Sequence, residues 1–194
     1  MALPKYQIPN TKYGRGFTTT QFLLVLALIS SLFLATRVGS TLLSYYRDLR
    51  RQNDLKEIAQ VLEVYRQAFN RYPKGKDNGY IYGCYPDGNS LCIWGKTWRD
   101  HTRKTLMDKV PEDPIATEYT YYYWATPTGD RYQLYAYLES PQGKGVFLDA
   151  NDRRLYYSGT FCGQTMCNYG IASKNITPET ARSLVTKEGK IHLY

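Results

Sequence analysis

A run of 20 residues without a charge, Phe17 to Thr36 (FTTTQFLLVLALISSLFLAT), is the first thing any fold of this chain must accommodate. Wound as a helix at about 1.5 Å per residue, it reaches about 30 Å, the thickness of a bilayer's hydrocarbon core. Its strictly apolar heart, Phe22 to Ala35, contains Ser30 and Ser31. Their hydroxyls can bond back to the preceding turn, so they do not veto insertion. The expectation is one membrane span. No second run of this length exists and the mean hydropathy is −0.50, which excludes a multi-span protein.

In front of the run, residues 1–16 carry Lys5, Lys12 and Arg15 and no acid. A secretory signal places its small residues after the apolar stretch. Here Gly16 stands before it, so cleavage after Gly16 would leave the helix on the mature chain. The segment Gly16-Phe17-Thr18-Thr19-Thr20-Gln21-Phe22-Leu23-Leu24 resembles the prepilin signature of type IV pilins and type II secretion pseudopilins. The resemblance implies a prepilin peptidase that cuts between Gly16 and Phe17 and methylates the new N-terminus. It also implies assembly with other pilin or pseudopilin subunits through the same helix. Gln21 departs from the family, which carries glutamate at this assembly position, and a neutral amide supplies no Coulomb attraction to an ammonium. Val38 stands where many pilins have proline, with Gly39 beside it. A plain signal-anchor is the rival reading.

Basic residues sit on both sides of the run, Lys5, Lys12 and Arg15 before it and Arg37, Arg47, Arg50 and Arg51 after it. Counting them does not orient the span. The cysteines do: an even number in loop contexts suggests an oxidising, exported location. The chain is therefore expected in the cytoplasmic membrane as a single-pass protein with its C-terminal part outside.

Beyond the run, Leu55, Ile58, Leu62, Tyr65 and Phe69 recur at gaps of three and four, one face of an amphipathic helix. Pro73 and Gly75 supply a stop. The pattern divides the chain into a basic leader (1–16), an apolar helix (17–36), its amphipathic continuation (37–72) and a globular head (73–194). A coiled-coil stalk would need heptads sustained over several repeats, which are absent.

From Tyr80 onward, segments rich in tyrosine and aliphatic residues alternate with Gly, Asn, Asp and Pro clusters, the pattern of strands and turns. Strands are expected at Thr120–Ala125, Tyr132–Leu138, Gly145–Leu148 and Leu155–Tyr157, with turns at 127–130 and 151–152. In the second, Tyr132, Leu134, Ala136 and Leu138 are expected to face the core and Gln133, Tyr135 and Tyr137 to meet water. A short helix is expected between Trp94 and Val110. Together these give an α+β fold, a long helix packed on an antiparallel meander. Val110-Pro111-Glu112-Asp113-Pro114 and the stretch Tyr132 to Glu139 resemble the tail of G-type pseudopilins, and Cys167 to Ser173 is similar to the C-terminal stretch of some pilin-like proteins. G-type relatives often hold calcium. Asp149, Asn151 and Asp152 are the comparable oxygen-rich cluster here, which serves equally well as a turn.

Cys84 and Cys92 are eight apart around Pro86-Asp87-Gly88-Asn89, and Cys162 and Cys167 are five apart. Four cysteines permit three pairings, of which the two local ones are easiest to close. Neither pair has the CxxC spacing of a zinc ribbon. With two histidines, His101 among charged neighbours and His192 near the C-terminus, no nucleophile–base pattern is evident. Glu112 and Asp113 are adjacent and point apart, so they make no acid–base pair. The expectation is a non-enzyme without cofactor. The net charge of +8 and the segment Trp94-Gly95-Lys96-Thr97-Trp98-Arg99 raise contact with nucleic acid, but two tryptophans four apart suit core packing as well. The sequence thus reads as a pilus or pseudopilus subunit. The alternatives are an anchored extracellular binding module that never polymerises, and a DNA-binding minor pilin.

Overall fold

The computed structural model describes residues 18–140, 145–187 and 191–192. One α-helix, α1, covers Thr19–Phe69. The strands that follow are β1 (Lys74–Gly75), β2 (Ile81–Cys84), β3 (Ser90–Cys92), β4 (Trp98–Arg99), β5 (Thr105–Met107), β6 (Tyr122–Ala125) and β7 (Tyr132–Ala136). Then come β8 (Tyr156–Tyr157), β9 (Phe161–Cys162), β10 (Thr165–Met166), β11 (Tyr169–Ala172), β12 (Leu184–Val185) and β13 (Ile191–His192). The fold is α+β. The chain divides into two units, Met1–Ser40 and Thr41–Tyr194, and α1 contributes to both.

In the first unit, the apolar side chains from Phe22 to Leu34 are exposed on every side of the helix, between 41% and 68%. By length and composition this segment is long and apolar enough to cross a membrane. Ser30 Oγ donates to the carbonyls of Leu26 (2.7 Å) and Ala27 (3.1 Å), and Ser31 Oγ to that of Leu28 (2.9 Å). Both hydroxyls are satisfied inside the helix and need no water.

In the second unit, the amphipathic stripe of α1 becomes core. Leu55, Ile58 and Leu62 have no exposed surface and Tyr65 almost none. Burying each such aliphatic side chain stabilises by about 1.5–3 kcal/mol. The helix was expected to run to Tyr72 but ends at Phe69, because Asn70 adopts φ 56°. Its amide donates to Arg66 O at 2.8 Å, a left-handed cap that satisfies one of the last carbonyls. Tyr72 N then donates to Gly129 O (2.7 Å), which ties the helix exit to the β6–β7 turn. Gly129 has φ 72°, and a Cβ there would lie 2.8 Å from Tyr72 O, so the close approach requires glycine.

The central sheet has the order β11-β7-β6, antiparallel throughout, with Tyr123 opposite Leu134 and Ile171 opposite Leu134 on the other side. Four further antiparallel sheets form among the described residues, β1-β2-β3, β4-β5, β9-β10 and β13-β12-β8. The sheet therefore gains its third strand by a long return of the chain rather than by consecutive hairpins.

β7 differs from the sequence expectation in an informative way. Its five residues are buried on both faces, including Gln133 at 1% and Tyr135 at 0%. Tyr132, Leu134 and Ala136 join the cluster built on Leu55, Ile58 and Leu62. Tyr135 joins a second cluster with Tyr122, Leu155, Tyr157, Leu184 and the Cys162–Cys167 pair. The C-terminal segment thus covers the face expected to meet water. Gln133 is accommodated because its amide nitrogen donates to the carbonyls of Thr177 (2.9 Å), Pro178 (3.2 Å) and Thr180 (3.0 Å).

Three further expectations are corrected. Residues 94–110 form no helix but a turn and the β4–β5 hairpin, since Gly95 (φ 77°) and Arg103 (φ 71°) leave helical space. The Asp100 carboxylate holds that hairpin turn, accepting from the amides of Thr102 (2.8 Å) and Lys104 (3.1 Å). Gly145–Leu148 is not a strand; Leu148 makes one isolated bridge to Arg154. β6 and β8 begin later than expected, at Tyr122 and Tyr156, and β7 ends earlier, at Ala136.

Candidate functional site

The start of α1 is built by a reciprocal pair of hydrogen bonds. Thr18 N donates to Gln21 Oε1 (3.1 Å), and Gln21 N donates to Thr18 Oγ1 (3.3 Å). This is a capping box, a threonine at the N-cap and a glutamine three residues on, and it satisfies two amides that a helix start leaves open. Gln21, singled out in the sequence as the assembly position, thus has a local role at the head of the apolar segment. Gly16 and Phe17, the expected processing junction, lie outside the described residues.

A second constellation sits where α1 meets the sheet in the second unit. Arg51 lies on the same stripe as Leu55, Ile58 and Leu62 and is completely buried. Its Nε donates to Asp113 Oδ2 (2.7 Å) and its Nη2 to Asp113 Oδ1 (2.9 Å), a bidentate pair. Its Nη1 reaches Asp48 Oδ1 (3.0 Å) and Glu139 Oε1 (2.5 Å). Arg47 grips the same glutamate, Nε to Oε1 at 2.7 Å and Nη2 to Oε2 at 2.5 Å. Asp48 also accepts the backbone amides of Glu139 (2.8 Å) and Ser140 (2.7 Å), clipping the chain after β7 onto α1. The Arg51 guanidinium lies 5.3 Å from the Tyr119 ring centroid.

Burial alone would push the Arg51 pKa down, but the bonds from Asp113 and Glu139 outweigh it and hold the group above its ordinary value. Burial pushes Glu139 up, and its bonds to Arg47 and Arg51 bring it below the ordinary carboxylate value. Arg51 and Glu139 therefore stay ionised near neutrality. The bonds of the cluster are spent on each other and on backbone amides, and an arginine does not deprotonate. Such an arrangement positions helix against sheet and offers no proton to a substrate.

Sequence reasoning missed this cluster, although a signal was present. Arg51 occupies an apolar position of the helical stripe, and it had been counted with the flanking basic residues. Its partners, Asp113 and Glu139, fall in the two stretches already set apart, Val110–Pro114 and Tyr132–Glu139.

The remaining sequence candidates are separate from one another. Cys84 is bonded to Cys92 across the β2–β3 hairpin (Cα–Cα 5.3 Å), and Cys162 to Cys167 across β9–β10 (Cα–Cα 5.1 Å). Asp149 turns onto its own loop, accepting from the amides of Asn151 (2.9 Å) and Arg153 (2.8 Å) and from Arg153 Nε (2.8 Å). That is the geometry of a turn, with Asp152 at φ 56°. Among the described residues no group of three or more His, Cys, Asp or Glu is placed to hold a metal ion. His101 is exposed, its ring 4.7 Å from that of Phe69, and His192 ends β13. Trp94 and Trp98 are both buried, so neither ring is offered to solvent as a stacking platform. Glu112 pairs with Lys109 (3.1 Å) while Asp113 pairs with Arg51, so the two acids face different partners.

No family model, no curated protein and no solved structure matches this chain. The class that can be stated is a membrane-compatible apolar helix continuing into an α+β domain with two disulfides.

Proposed function

We propose that this chain is a structural subunit of the type IV pilin kind, belonging to a pilus or a type II secretion pseudopilus. A prepilin peptidase cuts between Gly16 and Phe17 and methylates the new amine. The apolar part of α1 anchors the chain in the cytoplasmic membrane and later packs against sister subunits. The head lies outside, a placement supported by its two disulfides, which persist in oxidising compartments. Its role is architectural rather than catalytic, with no resident cofactor.

The observation that carries this reading is the helix start. A capped, charge-free segment exposed on all sides has surface to bury against lipid or other helices. It follows directly on a glycine–phenylalanine junction in the sequence. N-terminal sequencing of the membrane-extracted protein tests it. The expected result is a chain beginning at N-methylated Phe17, with processing abolished by Gly16→Ala.

One observation favours a second reading, an anchored exterior binding module that does not polymerise. Gln21 is neutral and its carbonyl already accepts the Thr18 amide, so nothing at this position attracts a neighbouring ammonium. Retention of Met1 in the mature protein would select that reading.

A further inference from the structure

The stretch from Leu91 to Arg99 alternates between surface and core. Cys92, Trp94 and Trp98 are buried, whereas Leu91, Ile93, Thr97 and Arg99 are exposed. A face turned to water ordinarily carries polar side chains. Here it begins with two aliphatic ones, Leu91 at 37% and Ile93 at 49% exposed. Tyr85, 44% exposed, joins them, and with Lys96, Thr97 and Arg99 these residues line a groove of about 390 Å³.

The charge of the groove is one-sided. Among the described residues no carboxylate lines it, and neither Lys96 nor Arg99 enters an ion pair. The acid next in sequence, Asp100, is buried and engaged by the amides of its own hairpin turn, those of Thr102 and Lys104. Unpaired cations beside exposed aliphatic side chains suit a ligand that carries carboxylates next to apolar groups. A concave site receives an inserted chain better than the flat surface of a bilayer. The one ring in the groove, Tyr85, already has the Arg103 guanidinium 5.4 Å from its centroid, and the aliphatic walls offer no platform for stacked bases.

We propose that this groove docks an acidic polypeptide segment of a partner protein, its aliphatic side chains on Leu91, Ile93 and Tyr85 and its carboxylates on Lys96 and Arg99. The site is independent of how the chain is processed and of whether it polymerises.

The test uses the full chain in phosphatidylcholine nanodiscs, with its isoleucine methyl groups isotope-labelled. The Ile93 methyl resonance, identified by its loss in Ile93→Val, is followed during titration with a blocked hexapeptide of alternating glutamate and leucine. A hexapeptide of alternating lysine and leucine reverses the charge and keeps the apolar groups. The acidic peptide is expected to shift the Ile93 signal saturably and to leave that of the buried Ile58 in place. The lysine peptide is expected to bind about tenfold more weakly. Lys96→Gln combined with Arg99→Gln, which changes two exposed side chains and spares the core, is expected to weaken the acidic peptide about tenfold. No shift up to about 5 mM acidic peptide, equal binding of the lysine peptide, or an unchanged titration in the double variant would each overturn the proposal. So would displacement of the peptide by oligothymidylate, which would give the groove to nucleic acid. A shift of the Ile93 methyl on adding phosphatidylglycerol to the nanodiscs without peptide would give it to the membrane, and overturn the proposal equally.

Discussion

Arg51 and Asp113, one on α1 and the other 62 positions away, meet edge to edge with N–O separations of 2.7 and 2.9 Å and no exposed surface on the arginine. Losing one partner leaves the other charge stranded in the interior. Asp113→Ala or Arg51→Ala is therefore expected to cost about 3–5 kcal/mol of stability, the range for breaking a buried pair. Urea unfolding of the head followed by tryptophan fluorescence reads the change. Arg66→Ala, which removes an exposed pair with Glu63, should leave the midpoint where it was. Equal midpoints for all three variants would refute the clamp.

The same cluster sets the acid limb of stability. Glu139 is held below its ordinary value of 4.5 by Arg47 and Arg51, despite burial pulling it up. Because the folded pKa is depressed, the stabilisation is fully present above the unfolded value. It drains away as pH falls through the folded one. Stability should then be level at neutrality and decline below about pH 4.5, and Glu139→Gln should flatten that decline. Unfolding midpoints collected from pH 7 to pH 3 check it; an unchanged slope in the variant removes Glu139 from the account.

The disulfides close hairpins of eight and five residues, so each constrains only a short loop of the unfolded chain. Replacing either pair by serine should cost about 2–3 kcal/mol under the chain-entropy model. Both cysteines of Cys162–Cys167 are fully buried in the second cluster, whereas Cys84 keeps some surface. Mild reductant followed by alkylation and mass spectrometry should label Cys84 and Cys92 first. Simultaneous labelling of all four would mean that opening of the head, not local access, governs reduction.

How far the sequence could be read follows from how local each determinant is. Leu55, Ile58, Leu62 and Tyr65 announce their shared face through spacing alone, and that face is the core. The β6–β7 turn announces itself through Pro127 to Asp130. Gln133 and Tyr135 do not, because the segment that covers them, around Thr177 to Thr180, is more than 40 residues further along. The hairpin at 94–110 was hidden for the opposite reason. Gly95 and Arg103 take left-handed conformations that tryptophan spacing does not reveal. Arg51 was legible as an oddity, a charge on an apolar stripe, but its partners are 62 and 88 positions away.

Gln21 offers the sharpest separation of local from assembly roles. Its side-chain carbonyl accepts the Thr18 amide, and its own amide donates to the Thr18 hydroxyl. Gln21→Ala removes the first bond, and Thr18→Ala removes the second at about 1 kcal/mol of helix-start stability. Gln21→Glu keeps an acceptor in place and adds a negative charge in the first turn, worth about 0.3–1 kcal/mol against the helix dipole. Amide hydrogen exchange in micelles should therefore show Thr18 exchanging faster in the alanine variant at position 21 and as slowly as wild type, or slower, in the glutamate variant. If the chain is a polymerising subunit, Gln21→Glu also gives a neighbouring ammonium the charge it lacks. The fraction recovered in sheared surface material should then rise. Exchange that is protected alongside unchanged recovery would assign Gln21 to the cap alone.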